Sequence, residues 1–128
     1  MNHHQKGIET LADMLGLERA HAIQARFRAL SPTFEQEAMA VVFGRTWSRD
    51  AIDRKTRALV SIGILSALGR GNALRIVFEL AIANGASFDE ITEVLLQVAI
   101  YAGYPAALDT LAVLEEMPPH PKPARPRP

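Results

Sequence analysis

Asn84-Gly85-Ala86-Ser87-Phe88-Asp89-Glu90-Ile91 is the stretch that decides how this chain folds. Asn84-Gly85 ends one helix, because glycine enters the left-handed conformation past a helix C-terminus without a Cβ penalty. Ser87 and Glu90 then form a capping-box pattern, the hydroxyl covering free amides and the carboxylate reaching back. The helix that follows carries Ile91, Val94, Leu95, Val98 and Ala102 at spacings of three and four, which makes one buried stripe. Gly103 closes it, and Pro105 opens a last helix from its first position. That helix is read as using Leu108, Leu111, Ala112 and Glu115 before Pro118 stops it. Ile100, Tyr104 and Gln97 lie off the stripe, an apolar edge that suits either a subunit contact or ordinary surface.

Upstream, Asp53 is placed to cap a helix running to about Gly69. Its interior, Ala58-Leu59-Val60-Ser61-Ile62-Gly63-Ile64-Leu65-Ser66-Ala67-Leu68, has no polar face, so it should be surrounded by protein. A chain of 128 residues has little to cover every side of it, which points to a partner copy. Short helices over about 8–15, 20–30 and 34–43 complete an all-α set of about six to seven helices, with Glu35 and Glu37 at a helix start where the dipole favours negative charge. No run alternates as a strand would, and there is no internal repeat.

The length suits one domain, expected over 1–117. Six of the eight prolines fall in 118–128, where missing amide donors and fixed φ disfavour helix, so a disordered tail is expected there. Lys plus Arg and Asp plus Glu number 14 each, which gives no general attraction to nucleic acid or to anionic lipid. The absence of cysteine excludes disulfides, thiolate metal sites and thiol redox chemistry. No stretch is long enough to span a membrane and the start lacks a signal-peptide core, so the protein is expected in the cytoplasm. His3-His4 is read as a solvated pair at a frayed end.

Gly44-Arg45-Thr46-Trp47-Ser48-Arg49 with Asp53-Arg54-Lys55-Thr56-Arg57-Ala58-Leu59 resembles the carboxymuconolactone decarboxylase family. So do the 84–91 stretch and Gln97-Val98-Ala99-Ile100-Tyr101-Ala102-Gly103-Tyr104-Pro105-Ala106-Ala107, and the likeness runs from about Leu11 to Leu114. The resemblance implies an alkylhydroperoxidase D-like helical fold assembled as homo-oligomers, trimers or hexamers. It also implies action on small carboxylated lactones with no metal or organic cofactor. The peroxidase branch of that fold needs a CxxC pair, which this chain cannot supply. Where the family usually has Glu-Leu-x-x-His, this chain has Ala73-Leu74-Arg75-Ile76-Val77. A positioned acid or base is typically worth ~10²–10⁴ in rate, and neither Ala73 nor Val77 provides one. Smaller, apolar side chains there should enlarge the pocket and suit a bulkier, less charged molecule.

The resemblance marks Arg57, in the family's T-R-x-L pattern, as a candidate catalytic guanidinium for a substrate carboxylate or enolate oxygen; pairing with a nearby carboxylate is the structural alternative. Tyr101 offers a phenol to a developing oxyanion, against a satisfied core or interface tyrosine. His21, read as the only histidine inside the folded body, is the remaining candidate acid or base, against an exposed or capped histidine. Trp47, Arg49, Ala73 and Val77 are the candidate substrate-binding residues; Glu79 points away from the Ala73–Val77 face. No spacing suggests metal ligands. The reading is a diverged, cofactor-independent lyase, isomerase or cyclase of a small cyclic, lactone or polyketide-like molecule. A non-catalytic oligomeric ligand-binding or auxiliary protein and an ordinary 4-carboxymuconolactone decarboxylase are the alternatives.

Overall fold

The computed structural model describes residues 1–117; the segment expected to be a disordered tail, 118–128, lies outside the described residues. Those described form seven α-helices and one π-helical segment with no strand, as the all-α reading expects. They divide into two compact units, Met1–Arg54 and the chain from Lys55 onward. No described helix is long and apolar enough to cross a membrane.

In the N-terminal unit, α1 (His3–Leu15) starts earlier than the sequence suggests. Asn2 and Gln5 form a capping box that fixes the first turn, so the start is not frayed: Asn2 Oδ1 accepts from the Gln5 amide at 2.8 Å. The next helix, α2 (Leu17–Leu30), also begins before the expected residue 20. The single helix expected over 34–43 is instead two elements, α3 (Pro32–Glu37), capped by Ser31, and a π-helical segment, Ala38–Trp47. This segment buries Ala38, Met39, Phe43, Gly44 and Trp47, at spacings of four and five along one face.

Helix α1 packs against both α2 and the π-helical segment. The second contact is a backbone-to-backbone approach. A Cβ on Gly7 would stand 1.9 Å from the Met39 carbonyl oxygen, and one on Gly44 would stand 2.1 Å from the His3 carbonyl oxygen. Leu11 and Met39 fill the space beside this crossing and are fully buried. Burial of that kind is worth roughly 1.5–3 kcal/mol per side chain.

In the C-terminal unit, α4 (Arg54–Leu68) opens directly after Asp53 and buries Ala58, Ile62 and Ser66. A Cβ on Gly63 would meet the Val94 side chain of α6 at an ordinary 3.5 Å, so this position does not require glycine. The expectation that α4 is covered all round does not hold within one chain: Val60, Ile64 and Leu68, four apart, face outward. Helix α5 (Gly71–Ala83) ends at Asn84, with Gly85 at φ 98°. Helix α6 (Phe88–Ala102) begins at the Ser87–Glu90 capping box and buries Ile91, Leu95, Val98 and Ala99. Ala99 takes the place foreseen for Ala102, which is exposed.

Helix α7 (Tyr104–Glu115) packs against α5 and α6, but its inner face is not the expected one. Ala107, Thr110 and Leu114 point inward, while Leu108 is 66% exposed and Glu115 lies outside. A buried hydrogen bond settles this rotation: the Thr110 hydroxyl stands 2.8 Å from Ser66 Oγ on α4 and 3.0 Å from the Ala106 carbonyl oxygen. Turning Leu108 inward would break the bond between helices and leave the buried Ser66 hydroxyl without it, at about 1–3 kcal/mol.

Candidate functional site

Arg57 lies in the first turns of α4, half-buried. Its carbonyl accepts from the Ser61 hydroxyl at 2.9 Å, which fixes the backbone beneath the side chain. The guanidinium Nε is buried and has no hydrogen-bond partner among the described residues, and no carboxylate pairs with it there. The structural alternative of an ion pair is therefore not realised within the described chain. Leaving such a donor unsatisfied costs about 1–3 kcal/mol, so the arrangement suits an acceptor from outside the chain.

The other candidates are placed as follows. Tyr101, near the end of α6, is 83% exposed and offers its phenol to solvent. Val77 is buried on α5, whereas Ala73, one turn earlier, is exposed. No acid or base stands at either position. In the N-terminal unit, Trp47 is buried at the end of the π-helical segment, its ring 6.3 Å from that of Phe43. Arg49 is exposed in the turn that follows, its amide donating to the Thr46 carbonyl oxygen, and His21 is exposed on α2.

Two cavities of the C-terminal unit are lined by other residues. One, about 330 Å³, lies among Ser66, Gly69, Gly71, Asp109, Thr110 and Val113. The other, about 490 Å³, is an open apolar groove along α6 and α7 that includes Leu95, Leu96, Tyr104, Leu108 and Leu111. Neither includes Arg57, Ala73, Val77 or Tyr101.

The N-terminal unit holds a charged cluster that the sequence reading passed over. Glu35 is completely buried, and His4 Nε2 stands 2.6 Å from its Oε2. Arg28 donates to its Oε1 at 3.1 Å, with Gln24 at 3.4 Å from Oε2. Two expectations are thereby corrected. His4 is not a solvated terminal histidine, and His21 is not the only histidine held by the fold; Glu35 does lie at a helix start, with its carboxylate buried. The capping box at Asn2 is the signal that could have found this, because it draws His4 into the first turn of a helix.

Burial alone would raise the Glu35 pKa; hydrogen bonds from His4 and Arg28, with the nearby His4 charge and Gln24, outweigh it and hold the carboxyl below its ordinary 4.5. A depressed folded-state pKa stabilises the fold above the unfolded value and ceases to as pH falls through the folded one. Urea unfolding followed by Trp47 fluorescence should therefore show the N-terminal unit weakening as the pH drops below 4.5. Glu35→Gln should flatten that acid limb while costing about 1–3 kcal/mol at neutral pH. An acid limb identical in both proteins would refute the assignment.

These observations define the class first: an all-α helical protein without cysteine whose candidate guanidinium lacks an internal partner. The family model of the carboxymuconolactone decarboxylase family matches residues 32–116. A 4-carboxymuconolactone decarboxylase of Acinetobacter baylyi is 31% identical over 114 residues, covering 89% of this chain and 85% of that protein. The chain belongs to the carboxymuconolactone decarboxylase family, and its all-α architecture is the alkylhydroperoxidase D-like one. It is also similar to an uncharacterized 15.0 kDa protein of Paracoccus denitrificans, 32% identical over 90 residues, covering 69% of this chain and 67% of that one. A nitrosuccinic acid decarboxylase of Metarhizium robertsii is 26% identical over 111 residues, 87% of this chain and 78% of that one.

Proposed function

We propose that this chain is a cofactor-independent lyase, working in the cytoplasm on a small cyclic or lactone-like carboxylic acid, with Arg57 as the residue that meets its anionic oxygen. The observation carrying this is the buried Arg57 Nε with no partner of its own. Support comes from the two named relatives, whose substrates, 4-carboxymuconolactone and nitrosuccinic acid, are both small carboxylated molecules. Loss of CO2 breaks the bond between the carboxyl carbon and its neighbour and leaves the electron pair on an enolate. A guanidinium fork stabilises that oxygen more as its charge grows. The enolate carbon then takes a proton, which in the absence of an acid at Ala73 or Val77 comes from water. Tyr101, in the same unit, is the side chain next in line to assist.

The test is incubation of the full chain with a panel of lactones, polyketide-like esters, 4-carboxymuconolactone and nitrosuccinic acid, followed by mass spectrometry. Loss of the mass of CO2 from a carboxylated member is the expected result. A second reading, a ligand-binding or auxiliary protein without chemistry, draws on Ala73 and Val77, which hold no proton-transfer group. The double variant Ala73→Glu with Val77→His separates the two. It should raise an existing turnover by about 10²-fold under the lyase reading. Activity appearing only in the variant would favour the binding protein.

We also propose that copies of the chain associate through the outward stripe of α4, Val60, Ile64 and Leu68, as a trimer or hexamer. Sedimentation should give one of those masses, and Ile64→Glu should release monomer. A monomeric wild-type chain at micromolar concentration would refute this.

A further inference from the structure

Arg57, Val60, Ile64 and Leu68 follow one another at spacings of three and four, so they share one face of α4. Arg57 stands at one end of this stripe and Leu68 at the other. Leu68 also lines the cavity of about 330 Å³, together with Ser66, Gly69, Gly71, Asp109 and Thr110. The stripe thus runs from a guanidinium that lacks a carboxylate to a chamber that holds one. Asp109 is exposed and, like Arg57, enters no salt bridge among the described residues. Ser66 and Thr110 are already engaged with each other and with the Ala106 carbonyl oxygen, which leaves Asp109 as the titratable group of the lining.

Two such stripes cover each other when their helices lie antiparallel about Ile64, the contact that a two-fold axis produces. Val60 of each copy then faces the partner subunit's Leu68, since the two lie four residues either side of Ile64. Arg57, about 10 Å from the axis at 1.5 Å per residue, reaches just past that leucine. It meets the turn that carries Gly69 and Gly71 into the cavity wall; Arg70 of that turn is exposed and outside the lining. Opposite charges, Arg57 on one copy and Asp109 on the other, are thereby brought to one cavity mouth. We propose, resting on the lyase reading above, that the reactive site is composite. A small carboxylated substrate occupies one copy's cavity, its anionic oxygen meets Arg57 of the partner subunit, and Asp109 relays the proton that Ala73 and Val77 cannot. Beside the substrate carboxylate, like charge favours the protonated form of Asp109. When the bond to the carboxyl carbon breaks and CO2 leaves, the electron pair passes to the enolate. The enolate carbon takes the Asp109 proton, and water returns one to the carboxylate. A two-fold contact exists in a hexamer of paired trimers and not in a single trimer, so the hexamer is the assembly required.

The cysteine-free chain lets single cysteines map the contact. A short bismaleimide should link Ile64→Cys chains to one another and leave Val60→Cys chains alone largely unlinked. It should join Val60→Cys to Leu68→Cys when the two are mixed. Absence of the Ile64→Cys link, or equal self-linking by Val60→Cys, would overturn the two-fold contact. Asp109→Asn should lower turnover of whichever of 4-carboxymuconolactone and nitrosuccinic acid the chain decarboxylates by about 10²-fold. Co-expressing Arg57→Ala and Asp109→Asn chains should recover about a quarter of wild-type turnover, because half the pairs join unlike chains and each of those holds one intact site. No recovery beside an active wild-type chain would overturn the composite site and leave the lyase reading standing. No turnover by the wild-type chain would overturn the lyase reading and the composite site with it.

Discussion

Gly44→Ala, and separately Gly7→Ala, will each destabilise the N-terminal unit by about 3 kcal/mol, the upper end of the usual cost of overpacking. The added methyl in each case meets a carbonyl oxygen of the opposing helix at 2.1 Å or less, not the movable end of a side chain. Relief requires α1 and the π-helical segment to separate. Leu11 and Met39 would lose packing, and His4 would be drawn away from Glu35. Trp47, the only tryptophan, lies in that unit and reports its urea midpoint directly. Gly63→Ala is the control. Its methyl would meet Val94 at an ordinary 3.5 Å, and replacing glycine inside a helix should add roughly 0.5–1 kcal/mol. Unchanged midpoints in both Gly7 and Gly44 variants would show that α1 does not cross the π-helical segment as described.

Arg57→Ala will lower kcat/KM by about 10²–10³-fold, the usual loss when one donor to a developing oxyanion is removed. Arg57→Lys will recover part of it, because an ammonium keeps the charge and loses the planar fork. Stability distinguishes this role from a structural one. A paired structural arginine leaves a buried carboxylate unmatched when removed, at about 3–5 kcal/mol. Arg57 has no carboxylate partner among the described residues, so Arg57→Ala should change the unfolding midpoint little beyond the packing of its methylene stem. A large stability loss with unchanged turnover would reverse the assignment.

The helix ends of the C-terminal unit were legible because single residues carry them. Ser87 with Glu90, Gly85 and Gly103 each leave a local signal that needs no tertiary information. The face of α7 was not legible. Its sequence is apolar nearly all round, so periodicity could not choose between Leu108 and Ala107, and a hydroxyl on another helix, Ser66, made the choice. The π-helical segment was not legible for a related reason: over ten residues its buried positions, spaced four and five apart, read like those of an ordinary helix. The burial of Glu35 was not legible because its partners lie 31 and 7 positions away, His4 and Arg28. At the candidate site, the identity of Arg57 and the absence of an acid or base at Ala73 and Val77 could be read from the sequence. The missing partner of the guanidinium could not, since an empty hydrogen-bonding direction leaves no trace in sequence.

Release of labelled CO2 is the most direct test of the proposed chemistry. The full-length chain, treated with chelator, would be given 4-carboxymuconolactone and nitrosuccinic acid carrying ¹³C in their carboxyl groups. The expected result is ¹³CO2 from at least one of them, faster than without protein and reduced to near background by Arg57→Ala. Background release from both acids, or equal release by the wild-type and Arg57→Ala chains, would contradict it.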